Sequence, residues 1–174
     1  MLGSVGSLAG QQDHDVIEAV ARGDGFSDVY VKGLEIATLH DDESYANTFS
    51  RFVAAALKDP AKVDVSLYLL DKFAGLNPSH VKAFWHLCDR ALEDVKDSGL
   101  EGQRATIAWR ELKYSLGGMA DSSGLPTALV PAIIEDLVDA GLLSRSQSKK
   151  SRDYFLTDTG ELAYMTAQPG KPIL

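Results

Sequence analysis

The sequence predicts a mainly α-helical chain with one small β-hairpin close to its carboxyl end. Three patterns carry that expectation. Between Asp42 and Val95 apolar residues recur at spacings of three and four, the period that draws a stripe along a helix. Proline and glycine fall between these segments, as at Pro60, GLNP (75–78) and Gly99. The run LLSRSQSKKSRDYFL (142–156) breaks the helical period, with two short apolar arms around a polar tip.

A chain of 174 residues and 18.8 kDa, 45% hydrophobic and 24% charged, suits one ordinary core or two small ones. The net charge of −8 and a pI near 4.9 argue against non-specific coating of nucleic acid or anionic membrane. The charge is uneven, with nine basic against sixteen acidic residues up to position 100 and eight against nine beyond it. Cys88 is the single cysteine, which excludes an internal disulfide and a cysteine-built metal centre. A reducing cytoplasm is the expected location. No run approaches about 18 apolar residues, so no membrane-spanning helix is expected. MLGSVGSLAG lacks the basic start and apolar core of a secretory leader, and residues 1–12 read as a flexible tail.

The elements follow in order. Asp13–Ala21 forms a short helix with Val16, Ile17 and Val20 inward, and GDG (23–25) makes a turn. DVYVKGLEIATLH (28–40) is helical despite Gly33. In Asp42–Lys58 the stripe is Tyr45, Phe49, Phe52, Val53, Ala56 and Leu57, with Asp41 or Asp42 as cap. Ala61–Ala74 is apolar on most sides (Val63, Val65, Leu67, Leu69, Leu70, Phe73) and is expected at the centre of a helical core. Asn77 caps the next helix, Pro78 takes its first position, and Val81, Phe84, Trp85, Cys88, Leu92 and Val95 share a face. Residues 13–98 therefore read as an all-α region, with DSGLEGQ (97–103) as the boundary to a second domain over 99–166 and a tail at 167–174.

In that second domain Arg104–Leu116 is expected as a helix with Trp109 inward, interrupted at Gly117-Gly118. MADSSGL (119–125) has the length of the short second element of a helix-turn-helix, with Gly124 at the turn. A third helix starts near Thr127 as cap, carries Pro131 in its first turn, turns Leu129, Val130, Ile133, Ile134, Leu137 and Val138 inward, and stops at Gly141. Two strands come next, around a tip at about 146–151. Asp158 and Glu161 have capping-box spacing for a closing helix. This order, with LVDAGLL (137–143) and YFLTDTG (154–160) framing the hairpin, resembles the winged-helix regulators of the MarR and PadR type over residues 104–166. The resemblance implies a winged helix with a two-stranded β-hairpin wing, and a homodimeric transcriptional regulator whose third helix lies in the DNA major groove.

The residues themselves are divided on that function. The expected exposed face of the third helix is Thr127, Ala128, Pro131, Ala132, Glu135, Asp136 and Asp139, which offers three acids and no arginine, lysine, asparagine or glutamine for base reading. The wing SRSQSKKSR (144–152) instead carries Arg145, Lys149, Lys150 and Arg152 with no acid. Four phosphate contacts there would make affinity for double-stranded DNA fall with salt to roughly the −0.9 × 4 power. The same charges also suit a solvated tip that keeps a strand edge from aggregating.

A second resemblance lies in the amino-terminal region. YANTFSRFVAAAL (45–57) followed by LNPSHVKAFWHL (76–87) is similar to the helical part of Abi-alpha (abortive-infection-type) proteins, which implies a role in phage defence or a mobile element.

No Walker A loop, G-x-G-x-x-G, G-x-S-x-G or H-E-x-x-H occurs. His80 and His86 stand about 240° apart around a helix and do not share a face. HDDE (40–43) reads as the acid-rich start of a helix, and Cys88 as a small core residue. The expectation is a non-enzymatic protein with no cofactor and no metal ligands. Two readings stand together: a DNA-associated regulator using Thr127 and the four wing cations, or a protein-docking module that does not bind DNA.

Overall fold

The structure, a computed structural model, describes residues 13–39, 41–99, 108–112, 124–145 and 154–167. It is mainly helical, with a helical amino-terminal part and a winged helix at the carboxyl end. The described chain divides into two compact units. The first contains the helices up to Pro78, and the second holds Ser79–Met165.

The first unit is built from α1 (Asp13–Ala21), α2 (Phe26–Ala37), α3 (Glu43–Lys58), a 3-10 turn (Pro60–Lys62) and α4 (Val63–Ala74). α1 departs from expectation: Ala19 is fully buried, while Ile17 is 69% and Val20 43% exposed. Nine residues offer too few repeats of the period to fix which side turns inward. Between α1 and α2, the Asp24 carboxylate accepts the Phe26 N–H at 3.1 Å, and its hydrogen bond from Arg22 holds its pKa below the usual carboxylate value.

α3 matches the sequence closely. Asp42 caps it by accepting the Tyr45 N–H at 2.8 Å. All six residues of the expected stripe, Tyr45, Phe49, Phe52, Val53, Ala56 and Leu57, are buried. Tyr45 meets Phe49 edge-on, and Phe52 meets Phe73 of α4 in the same way. α4 is amphipathic rather than enclosed: Val63, Ser66, Leu69, Leu70 and Phe73 are buried, but Asp64, Tyr68 and Asp71 are exposed. Asp71 accepts an ion pair from Lys32 of α2.

Gly33 explains how a glycine sits inside α2. A β-carbon there would lie 2.4 Å from Val53 Cγ2 on α3, well inside contact distance. The missing side chain lets the two helices approach, which outweighs the roughly 1 kcal/mol of helix propensity that glycine gives up.

The second unit begins with α5 (Pro78–Asp97). Pro78 occupies its first position, as expected. Burial of His80, Ala83, Leu87 and Ala91 beside Val81, Phe84, Cys88, Leu92 and Val95 makes two adjoining buried stripes where the sequence suggested one. The division between the two units falls at the start of α5, after Pro78. α5 belongs with the carboxyl-terminal elements because Trp109 Nε1 donates to the Cys88 carbonyl at 3.1 Å and the Tyr164 hydroxyl to Asp89 at 2.7 Å.

Residues 108–110 are helical, but the helix expected through Leu116 gives way to β1 (Glu111–Leu112). β1 pairs antiparallel with β3 (Tyr154–Leu156), which also pairs with β2 (Leu143–Arg145), in the order β1-β3-β2. The wing hairpin is therefore present, with a third strand added. Pairing with residues more than forty positions away overrides the local helical period. α6 (Val130–Asp139) and α7 (Asp158–Ala167), apart from its last two residues, complete the unit. The glycine pair 117–118, the short element at 119–123, the wing tip and both tails lie outside the described residues.

Two stability tests arise from the first unit. Gly33→Ala should cost about 1–3 kcal/mol through overpacking, and combining it with Val53→Ala should lose less than the sum of the two, by about 1 kcal/mol in denaturant midpoints. Additive losses would mean that the helices adjust without strain. The buried Tyr45 hydroxyl donates to the Leu76 carbonyl at 2.8 Å, and burial raises its pKa above the ordinary 10.0. The neutral phenol is therefore the form that the folded state favours. Its contribution is complete below pH 10 and is lost as pH rises through the folded value. Tyr45→Phe should cost about 1 kcal/mol at pH 7 and flatten the alkaline fall in stability, read by urea midpoints on either side of pH 10.

Candidate docking and nucleic-acid interface

α6 is the helix that would face a ligand in a winged helix. Its start differs from expectation. The Leu129 N–H bonds to the Pro126 carbonyl at 2.9 Å, so residues 127–129 form a turn and the helix proper starts at Val130. Leu129 holds the cap position without a side-chain bond, and Thr127 is an exposed turn residue rather than the cap. Leu129 is also 52% exposed instead of inward. The cause is local: Pro131 lacks an N–H and needs no capping acceptor, and the turn from Pro126 satisfies the Leu129 amide.

Its far end is closed by backbone. Gly141, at φ 75°, bonds to the Val138 carbonyl at 2.9 Å, and the Leu142 N–H reaches the Leu137 carbonyl at 3.0 Å. This is a Schellman motif, with Leu137 and Leu142 both buried. The carbonyls of Gly141 and Leu142 then meet Thr157, whose Oγ1 lies 2.6 Å and 3.1 Å from them and whose N–H donates to Leu142 at 3.2 Å. The same hydroxyl accepts the Gly160 N–H at 3.0 Å, so Thr157 caps α7. The expected capping box of Asp158 and Glu161 is not formed. Both carboxylates pair with Arg110, Asp158 at 3.1 Å. A β-carbon on Gly160 would stand 2.3 Å from the Leu142 carbonyl oxygen. LVDAGLL and YFLTDTG are thus two halves of one junction.

Tyr164 holds α7 in place. Its ring lies 5.3 Å from that of Trp109 and 5.8 Å from that of Trp85. Cys88 is fully buried, and burial, with help from the Asp89 charge, pushes its thiol well up. A thiol so held has little thiolate for chemistry, and it acts as the small core residue that its position suggested.

The outward face of α6 matches the sequence reading with Leu129 added. Thr127, Ala128, Pro131, Ala132, Asp136 and Asp139 are exposed, and Glu135 is half-buried. Arg145, the only cation in residues 124–145, forms an ion pair with Glu135. Asp136 accepts His80 of α5 at 2.7 Å, with the imidazole largely covered. Of the expected nucleic-acid residues, Thr127 and Arg145 are described, and Lys149, Lys150 and Arg152 lie outside the described residues. The roles of His80, Arg110 and Thr157 were missed. The T-D-T-G spacing signalled a cap there, one residue off, and nothing in the sequence signalled the partner of His80.

Among the described residues no group of three His, Cys, Asp or Glu is placed to hold a metal ion, and no helix is long and apolar enough to cross a membrane. No family model, curated protein or solved structure matches the chain.

The junction is tested by substitution. Thr157→Val should lower stability by about 1–2 kcal/mol, the usual loss of a cap. Gly160→Ala should cost about 3 kcal/mol, since the obstacle is backbone and not a side chain that can turn away. Equal thermal midpoints for Gly160→Ala and the native protein would disprove the close approach.

Proposed function

We propose that this is a non-catalytic winged-helix protein that docks a protein partner on α6, acting in a reducing cytoplasm. One observation carries the reading: the helix that would read DNA turns outward apolar residues and acids, and the one wing cation described is paired to one of those acids. Base reading draws on Arg, Lys, Asn or Gln, and exposed carboxylates repel phosphate. The winged-helix fold serves either purpose, so the surface decides between them. The likeness of residues 45–57 and 76–87 to Abi-alpha proteins extends the reading toward phage defence or a mobile element, with a protein as the partner.

A second reading rests on a separate feature, the run SRSQSKKSR with four cations and no acid. Under it the protein is a MarR- or PadR-like transcriptional regulator, homodimeric, that clamps double-stranded DNA through Arg145, Lys149, Lys150 and Arg152 beside Thr127.

Fluorescence anisotropy of a labelled mixed-sequence duplex, at about 50 and 200 mM salt, separates the two. Docking expects no binding at the lower salt. Binding that weakens steeply with salt and vanishes in Lys149→Glu/Lys150→Glu would replace docking with DNA association.

A further inference from the structure

We infer that the partner presents a cationic segment with an apolar anchor, its lysines or arginines over Glu135–Asp139 and its anchor against Leu129, Pro131 and Ala132. The inference rests on the docking reading and names its partner class. On α6, residues 132, 135, 136 and 139 fall at helical spacing on one stripe, small at the amino end and acidic at the other, with Ala128 in the turn that leads into it. Leu129, 52% exposed, stands beside Ala128, Pro131 and Ala132, whose small side chains leave room for close approach.

The acids sit at the electrostatically unfavourable end. A helix carries partial negative charge at its carboxyl terminus, and α6 adds three carboxylates over its last five residues, Glu135–Asp139, with no basic residue in its last turn. A cation bound there relieves both charges at once. The chain already supplies two partners for these acids, one an arginine and one an imidazole. His80 holds Asp136 from a largely covered position, whereas the Arg145 side chain is 61% exposed and held only at the surface. Asp139 is exposed and has no ion-pair partner among the described residues. An exposed pair such as Arg145–Glu135 is weak, so an incoming cation displaces Arg145 at small cost. Arg145 is thus a competitor for the site, opposite to its role in a DNA clamp. A second copy of the chain, itself at −8, is a poor occupant for an acidic face.

The test uses the full chain and a labelled synthetic helical peptide of leucine, lysine and alanine, leucines on one side and lysines flanking them. A lysine-to-glutamate counterpart and a leucine-to-serine counterpart serve as controls. Binding of the first peptide is expected to exceed that of both controls. Arg145→Ala should tighten it about threefold, and Asp139→Lys should weaken it about fivefold, the range of exposed charge pairs. Asp139→Lys places a favourable charge at a helix end, so an undiminished thermal midpoint shows that lost binding is not unfolding. Asp64→Lys, an equal charge change at an exposed site on α4, should have little effect.

Equal weakening by Asp64→Lys and Asp139→Lys would reduce the effect to net charge and overturn the inference, as would an Arg145→Ala that fails to tighten. Binding by none of the three peptides, or a doubled mass in light scattering that Asp139→Lys abolishes, would overturn it too. A glutamate peptide that binds where the lysine peptide does not would sink the charge assignment and leave docking standing, whereas duplex binding would sink both.

Discussion

The second unit depends on two carbonyl groups. Those of Gly141 and Leu142 emerge where α6 has ended and β2 is about to start, and Thr157 takes both while capping α7. A single threonine thereby sets the exit of one helix, the spacing of the two wing arms and the start of another helix. Backbone carbonyls left without a partner inside the fold are costly, and the Thr157 N–H to Leu142 bond continues the register of β2 against β3. The absence of a side chain on Gly160 is what allows α7 to come close enough. Trp109, Tyr164 and Asp89 then secure α5 and α7 to that frame.

On this frame α6 is displayed with a surface whose electrostatics run against the DNA-reading task of a winged helix. The apolar side of the helix is spent on the core through Val130, Ile133, Ile134 and Leu137. The outward side carries the acids Glu135, Asp136 and Asp139. The pairs Arg145–Glu135 and His80–Asp136 both hold acids of the helix, the first from the exposed Arg145 side chain and the second from a largely covered imidazole.

Much of the helical architecture was legible because long stripes repeat the period several times. The six residues of the α3 stripe and the cap Asp42 are all as read. Where the sequence misled, a contact distant in sequence or a short segment was responsible. β1 looks helical because Leu112 keeps the spacing of Ala105, Ala108 and Trp109, and only its pairing with Tyr154 makes it a strand. Leu129 looks inward because it extends the Ile133 spacing, but the turn from Pro126 precedes the helix and directs it outward. The exposed composition of α6 was legible residue by residue. The neutralisation of Arg145 was not, since Glu135 lies ten positions away on another element and no local period links them.

The strand order has a consequence for how any partner is met. With β3 in the middle, the sheet's two edges among the described residues are β1, two residues long, and β2, three. An incoming chain that adds itself as a strand needs a run of unpaired backbone groups, and the described residues of these edges offer few. A partner meeting the described edges would then be selected by the charge and shape of side chains, not by backbone pairing that any extended peptide supplies equally.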